Sequence, residues 1–303
     1  MTTSTCRNCG ATENIARYEF PEHHKVIREC RRCRLMVLDP MPTPAELHSV
    51  YNQDYFENEN LTQTDPSRVY GYVDYISERI NKQKGYRAIC DRLQAYVNPA
   101  RKPPRLLDYG CGLGFFLDAA YDRGFDVEGV EFNGYAIDYI RKRYRYPVFL
   151  PEELPPGMRY DAITMFDVIE HLDEPFDAIR QMRDLLVPGG VLLLLTMDST
   201  SLTSRLLGKR LEDFRRIREH LYFFDRGNLS SILEKQGFEV LATESIGHSF
   251  EFRLLASRLR ATLPAIGAPL EWLLRLFPFL SRRSIYVNPR TKFIAYARKP
   301  LAG

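Results

Sequence analysis

Leu106-Leu107-Asp108-Tyr109-Gly110-Cys111-Gly112-Leu113-Gly114-Phe115-Phe116-Leu117 is the stretch on which the architecture turns. An apolar run, Arg105–Tyr109, reads as a strand. It enters a turn with a glycine at every second position, and Gly114–Arg123 then reads as a helix. Glycine lets the backbone take a positive φ and approach a ligand with no Cβ in the way. In open α/β sheets ligands bind at the carboxyl ends of the strands, where such turns lie. The spacing excludes one ligand class. A dinucleotide fingerprint needs G-x-G-x-x-G, and Phe115 stands where its third glycine belongs.

Outward from this turn the chain alternates strand and helix. Strands are expected at Asp126–Glu131, Val148–Leu150, Tyr160–Phe166 and Val191–Thr196, with helices at Tyr135–Tyr144 and Pro175–Leu186. The almost wholly apolar Val191–Thr196 suits the centre of a parallel sheet covered on both faces. Pro175 sits in its helix's first turn, and Pro188-Gly189-Gly190 follows that helix's end. Leu229–Lys235 supplies another helix, and Phe238–Leu241 and Lys292–Ala297 two more strands. Repeated β-α units of this length predict an α/β, doubly wound, Rossmann-like sheet. Upstream, apolar residues recur at helical steps from Asp74 to Val97.

Asp-x-Gly-x-Gly-x-Gly, from Asp108 to Gly114, resembles motif I of the class I S-adenosylmethionine methyltransferases. Tyr160-Asp161-Ala162-Ile163 through Phe166-Asp167-Val168-Ile169-Glu170-His171-Leu172 resembles that family's fourth-strand motif. Leu185-Leu186-Val187-Pro188-Gly189-Gly190 resembles its turn before strand five. The resemblance implies a seven-stranded sheet in the order 3-2-1-4-5-7-6 with strand seven antiparallel. It implies S-adenosyl-L-methionine as cofactor, held by Asp108, Gly110, Gly112, Gly114, Glu131 and Phe132. Glu131, ending the second strand, would meet the ribose hydroxyls, and Phe166 and Asp167 would lie beside the sulfonium.

Six cysteines are present, four of them as the pairs Cys6/Cys9 and Cys30/Cys33. Two Cys-x-x-Cys knuckles at this separation can grip one tetrahedral Zn2+. Four thiolates close the shell, so the ion is expected to be structural, a zinc-ribbon-like module that stabilises a short segment. His23 and His24, between the pairs, read as loop residues. Such a head, followed by a proline-rich link and a segment like Tyr51–Phe56, resembles those of deoxysugar C-methyltransferases and related bacterial enzymes. The organisation expected is a zinc knuckle over 1–43 and a helical linker or lid over 44–98. A cofactor-binding domain over 99–248 follows, then a helical insertion and final strand over 249–303.

Methyl transfer needs alignment and, for a protonated acceptor, a base. Histidine suits neutral pH. His171 follows the fourth strand, and His220 stands beside Glu219 in a segment resembling an acid–histidine pair of sugar methyltransferases. His220, Glu219 and His171 are therefore the catalytic candidates. The basic stretch Ser199–Arg218 reads as a solvated loop or as a holder for an anionic substrate. Arg141–Arg145 reads as a solvated face. Residues 249–282 carry more apolar surface than one exposed helix tolerates and read as a lid, a dimer face or a peripheral membrane contact.

A net charge of +3 does not signal nucleic-acid binding. No secretory leader or spanning segment is read, so a reduced, cytoplasmic setting is expected. The leading expectation is methyl transfer to a small molecule, a sugar or phosphate-linked glycan precursor. The alternatives are an RNA methyltransferase using the knuckle to grip nucleic acid, or a non-catalytic scaffold. Against the first stands the missing Asn/Asp-Pro-Pro-Tyr in the fourth-strand motif, and against the second the intact glycine turn.

Overall fold

Alternating apolar runs and glycine turns fold here into a twisted sheet, seen in a computed structural model that describes residues 5–50, 55, 79–98, 102–281 and 283–301. The described chain divides into two units. One draws on Met1–Lys82, Asp198–Phe223 and Ile246–Thr291, the other on Gln83–Met197, Phe224–Ser245 and Lys292–Gly303. Tyr51, Phe56 and the expected helix start at Asp74 lie outside the described residues. Tyr55 is described and buried. Elements are numbered along the whole chain.

In the second unit the strands are β4 (Arg105–Tyr109), β5 (Asp126–Val130), β6 (Val148–Phe149), β7 (Tyr160–Phe166) and β8 (Leu186–Met197). Two long strands, β10 (Glu239–Glu251) and β11 (Ser284–Arg298), pass from one unit into the other. The seven lie in the order β6-β5-β4-β7-β8-β11-β10. Counted along the sheet strands alone this is 3-2-1-4-5-7-6, the expected order, and β11 runs antiparallel to β8. The core is at the centre: Tyr160, Ala162, Ile163 and Met165 of β7 and Val191 to Leu194 of β8 are buried. Strands covered on both faces are mostly apolar, and the polar exceptions in β7 are hydrogen-bonded: Asp161 accepts from Arg105 N–H and Thr164 donates to Asp108.

The helices follow from local chemistry. α3 (Phe115–Tyr121) starts at the glycine turn, and α4 (Gly134–Arg143) is capped by the Asn133 side chain, which accepts from the N–H of Tyr135 and Ala136. α5 (Pro175–Leu185) begins on proline, and α8 (Arg226–Lys235) on a reciprocal Asp225–Asn228 cap. α2 (Arg79–Gln94) buries Ile89, Cys90 and Leu93.

Three expectations are corrected. Strand β8 begins at Leu186, directly after α5, so Pro188-Gly189-Gly190 lies inside the strand as an irregularity. It is tolerated because Gly189 N–H donates to the Lys299 carbonyl at 2.9 Å and Lys299 N–H to that of Gly190 at 2.8 Å. Strands β10 and β11 far outrun Phe238–Leu241 and Lys292–Ala297. Only Phe293–Ala297 of β11 is buried, and the outer stretches lack the apolar run that marks a central strand. The basic stretch Ser199–Arg218 is not a plain solvated loop. It forms α6 (Leu202–Leu207) and α7 (Glu212–Arg215), and Arg215 and Arg216 are buried.

The first unit holds an antiparallel meander, β1 (Asn14–Phe20), β2 (Lys25–Cys30) and β3 (Met36–Asp39). A fourth strand, β9 (Tyr222–Phe223), joins the β3 edge from far along the chain, with Met36 opposite Phe223 and Val37 opposite Tyr222. Phe214 ties the two parts together, with its ring 4.7 Å from Tyr18 and 5.5 Å from Phe223. α1 (Pro44–Val50) follows the meander. Three further helices, α9 (Phe252–Thr262), α10 (Pro264–Leu276) and α11 (Pro278–Ser281), fill the connection between β10 and β11.

Candidate functional site

The glycine turn stands at the carboxyl end of β4, beside that of β5. Gly110, Gly112 and Gly114 all have positive φ, at 78°, 53° and 76°. At Gly110 the requirement is doubled: a Cβ there would lie 2.4 Å from Val168 Cγ2, so the turn passes too close to the segment after β7 for any side chain.

The turn's donors are already used. Gly110 N–H and Cys111 N–H donate to the Val130 carbonyl at 2.8 and 3.1 Å, and Gly114 N–H donates to that of Cys111 at 2.9 Å. Gly112 N–H donates to Glu131 Oε2 at 2.8 Å. Four N–H groups that a phosphate-binding loop would aim at its anion are instead spent on the protein.

Glu131 is the hub of the arrangement. Besides Gly112, its Oε1 accepts from Phe132 N–H and Asn133 N–H, both at 2.9 Å. The carboxylate is buried, and burial pushes its pKa up while the three N–H donors pull against that shift. An ionised carboxylate offers about four lone-pair sites, so an acceptor site remains for a ligand hydroxyl. Phe132 is 45% exposed, and Asn133 caps α4.

Asp108 is buried beneath the turn, with Thr164 Oγ1 donating to its Oδ1 at 2.6 Å. Burial raises its pKa to about 7. Across the strand ends, Phe166 packs against Phe116 and Tyr86, with centroids 4.7 and 6.3 Å away. Asp167 takes a left-handed conformation at φ 54° and accepts from Lys292 Nζ at 2.7 Å. Glu170, just beyond, is fully buried, and burial with the neighbouring Asp167 charge raises its carboxyl to about 8. His171 closes the short helix Ile169–His171 and is half-buried. Lys292, Thr164 and Glu170 were missed as site residues. Lys292 could not be found by spacing, because it reaches Asp167 from a strand far along the chain.

His220 and Glu219 belong to the first unit. Both are buried, and Glu219 is engaged by Arg216, whose Nη1 lies 2.6 Å from Glu219 Oε1 while Nη2 lies 2.7 Å from Glu212 Oε1. His220 N–H donates to the Arg216 carbonyl at 2.8 Å, and the Phe223 ring lies 6.1 Å from the imidazole. Glu219, expected beside His220, thus carries an ion pair to Arg216.

Also in the first unit, the four sulfurs of Cys6, Cys9, Cys30 and Cys33 all lie within 4.8 Å of one another. Cys6–Cys33 and Cys9–Cys30 are each 3.5 Å apart, too far for a disulfide and close to the ~3.8 Å edge of a tetrahedron with 2.3 Å metal–sulfur bonds. The two knuckles share one backbone pattern. Gly10 N–H donates to the Cys6 carbonyl at 2.8 Å, and Arg34 N–H to that of Cys30 at 2.9 Å. Gly10 and Arg34 both have positive φ, 72° and 62°. A left-handed arginine costs about 1–2 kcal/mol and marks a turn held by its surroundings. The Cys33 thiol's hydrogen bond drives Cys6 down to about 4. By contrast Cys90, alone in α2, is pushed up to about 12 by burial, the state of an inert thiol.

Asp108 and Glu170 give the protein a defined pH response. Each has a folded-state pKa above its ordinary value, 3.8 to about 7 and 4.5 to about 8. Their stabilisation is therefore complete below about pH 4 and lost as the pH rises to 7 or 8, opposing the usual carboxylate trend. For Asp108 the change amounts to at most about 4 kcal/mol. Asp108→Asn and Glu170→Gln are each expected to flatten the fall in melting temperature between about pH 5 and pH 8. Thermal melts of the three proteins across that range check it. Parallel curves for all three would show that neither carboxyl titrates as its burial requires.

A sequence profile described as a methyltransferase domain matches residues 80–243, just over half of the chain. A ubiquinone biosynthesis O-methyltransferase of Pseudomonas aeruginosa (strain UCBPP-PA14) is 30% identical over 108 residues, which are 31% of this chain and 44% of that protein. One of the same name from Xanthomonas campestris pv. campestris is 32% identical over 106 residues, 32% of this chain and 44% of that protein. The chain thus spans less than half the length of these curated relatives. Among solved structures, a SAM-dependent methyltransferase from Archaeoglobus fulgidus aligns with 74% of this chain and 99% of its own, at 19% identity and a TM-score of 0.49. The matched span takes in the glycine turn, Glu131 and Phe166–His171, and the chain belongs to the methyltransferase-domain family of class I S-adenosylmethionine-dependent enzymes.

Proposed function

We propose that this protein transfers a methyl group from S-adenosylmethionine to a hydroxyl of a small-molecule acceptor, with one structural zinc ion in its N-terminal head. The observation that carries the reading is the pairing of a glycine turn whose donors are spent with the Glu131 carboxylate beside it. Such a turn has little left to offer a phosphate and retains a carboxylate lone pair for hydroxyls. S-adenosylmethionine supplies a methyl group already activated on a sulfonium. Glu131 would accept from the ribose hydroxyls, and Gly110, Gly112 and Gly114 would admit the cofactor against bare backbone, with Asp108 bracing the strand beneath. The exposed ring of Phe132 would cover one face of the adenine. Phe166 and Asp167 would line the sulfonium side, where Lys292 fixes the Asp167 carboxylate.

The oxygen acceptor is taken from the printed name of the relatives, O-methyltransferases, and sugars or phosphate-linked glycan precursors remain the acceptor class read from the sequence. A hydroxyl must lose its proton, and we assign that step to His220, whose backbone N–H is bonded to the Arg216 carbonyl, ahead of His171.

Calorimetry with S-adenosylmethionine and its demethylated product is expected to give micromolar binding. Glu131→Ala removes the ribose contact and loosens the turn, weakening binding about tenfold or more. Wild-type protein that binds neither compound would sink the assignment. Gly110→Arg is a poor probe, because its strain at φ 78° would disturb the turn whether or not a cofactor binds there.

Elemental analysis of protein purified without chelator is expected to find one zinc per chain, lost in Cys30→Ser/Cys33→Ser with a lowered melting temperature. A metal-free head that melts like wild type would remove zinc from the proposal.

Turnover on a panel of phenols, nucleotide sugars and glycan fragments tests the chemistry. Replacing a positioned base typically costs about a hundred- to ten-thousand-fold in rate. His220→Ala is expected to lose at least the lower figure with cofactor affinity near wild type. A crippled His171→Ala beside a normal His220→Ala would move the base to His171.

A further inference from the structure

The connection between β10 and β11 has an unusual surface. Its helices α9 and α10 are tightly joined. At Gly267 a Cβ would lie 2.0 Å from the Arg260 backbone nitrogen, so the two helices cross with no space for a side chain, and Arg260 Nη1 meets Glu271 Oε2 at 2.9 Å. The base is closed by Phe252 N–H donating to the Arg283 carbonyl at 2.9 Å. The seam of α10 consists of Gly267, Leu270, Glu271 and Leu274, spaced as one helical face, and these are buried or half-buried.

The opposite face of α10 should then be polar, and it is not. It presents Ile266, Trp272, Leu273 and Leu276, and the chain continues into Phe277 and Phe279. All six are exposed, Trp272 by 63% and Phe279 by 69%. Arg275 stands among them, and exposed Arg253, Arg260, Arg283 and Arg290 lie on the same connection and the adjoining strand. Over residues 246–291 there are seven arginines, no lysine or aspartate, and two glutamates, one of them already paired with Arg260. Among the described residues no helix is long and apolar enough to cross a membrane.

We propose that the outer face of α10 and α11 rests on an anionic lipid bilayer, with Trp272, Leu276 and Phe279 entering the headgroup region and the arginines meeting lipid phosphates. The chemistry selects this occupant. An apolar face rimmed by cations, with an aromatic belt and a helix too short to span, is the composition of an interfacial anchor. A second copy of this chain fits poorly, because pairing the face with itself sets arginine-rich surfaces together with almost no acid to offset them. The proposal does not depend on the reaction the protein catalyses.

Trp272 is the chain's single tryptophan, so its emission reports on this face alone. Full-length protein is mixed with phosphatidylcholine vesicles or with vesicles containing phosphatidylglycerol. The expected result is co-sedimentation with the anionic vesicles only, with a blue shift of the tryptophan emission that weakens as salt is added. Leu276→Ser/Phe279→Ser, which keeps the reporter and alters only outward side chains, is expected to reduce vesicle affinity about tenfold or more. Arg275→Glu/Arg283→Glu is expected to do the same at low salt. Both variants should melt like wild type. Unshifted emission without sedimentation overturns the proposal, as does equal binding to neutral vesicles. A blue shift that appears without lipid, rises with protein concentration and accompanies a doubled mass assigns the face to a second copy instead.

Discussion

A carboxylate buried at the tip of a strand survives only where donors surround it, and Glu131 takes three backbone N–H groups from both sides of the β4–β5 corner. The desolvation cost of an unpaired buried charge would be several kcal/mol. That cost fixes the conformation of everything in reach. Gly112 must turn its N–H toward Glu131, which places it at positive φ, and the flanking glycines follow. Residues 132 and 133 must direct their N–H groups back to the same oxygens. Asn133 is thereby set to cap α4, and Phe132 is left at the surface. One side chain thus organises the turn, the start of a helix and an exposed ring. The cofactor we propose would bind to a corner that is already ordered, with little conformational entropy left to lose.

The first unit solves a different problem with a different device. A three-stranded meander with four clustered cysteines offers little apolar core of its own. The structure adds Phe214 and the β9 strand from far along the chain, so the Phe214 ring packs against those of Tyr18 and Phe223. Arg7 Nη1 donates to the Tyr222 hydroxyl at 3.3 Å, which links the first knuckle to the same added strand. Between Phe214 and β9 the chain carries Glu219 and His220. The cysteine cluster and the buried histidine therefore lie in the same unit.

How far the sequence could be read depended on whether the constraint was local. Arg105–Tyr109 and Tyr160–Phe166 agree with the observed strands to the residue, because burial on both faces writes an apolar run that ends in a turn. The cysteine knuckles were legible from spacing alone, though Arg34 in a left-handed turn carries no signal until Gly10 is seen in the same role. Non-local constraints left no trace. Lys292 on β11 meets Asp167 at the end of β7, with β8 lying between the two strands. Likewise β10 and β11 run on past their apolar stretches, where hydrophobic pattern cannot mark them.

Charge shows the same limitation at a larger scale. A chain-wide balance of +3 argues for nothing in particular, yet residues 246–291 hold seven arginines and two glutamates. The rest of the chain is therefore slightly acidic, and the average conceals a cationic segment. Within that segment the apolar side chains are placed against the usual rule. Gly267 and Leu274 face inward while Trp272 and Leu276 face water, so the larger hydrophobes are those left uncovered. Loose packing does not explain this, because the seam is close enough to exclude a Cβ. Burying a Leu or Phe side chain contributes about 1.5–3 kcal/mol, and leaving Leu276 and Phe279 more than half exposed forgoes much of that gain on folding. Folding alone gives no reason for the arrangement, whereas an apolar, anionic surface outside the protein supplies both the missing burial and the missing countercharge.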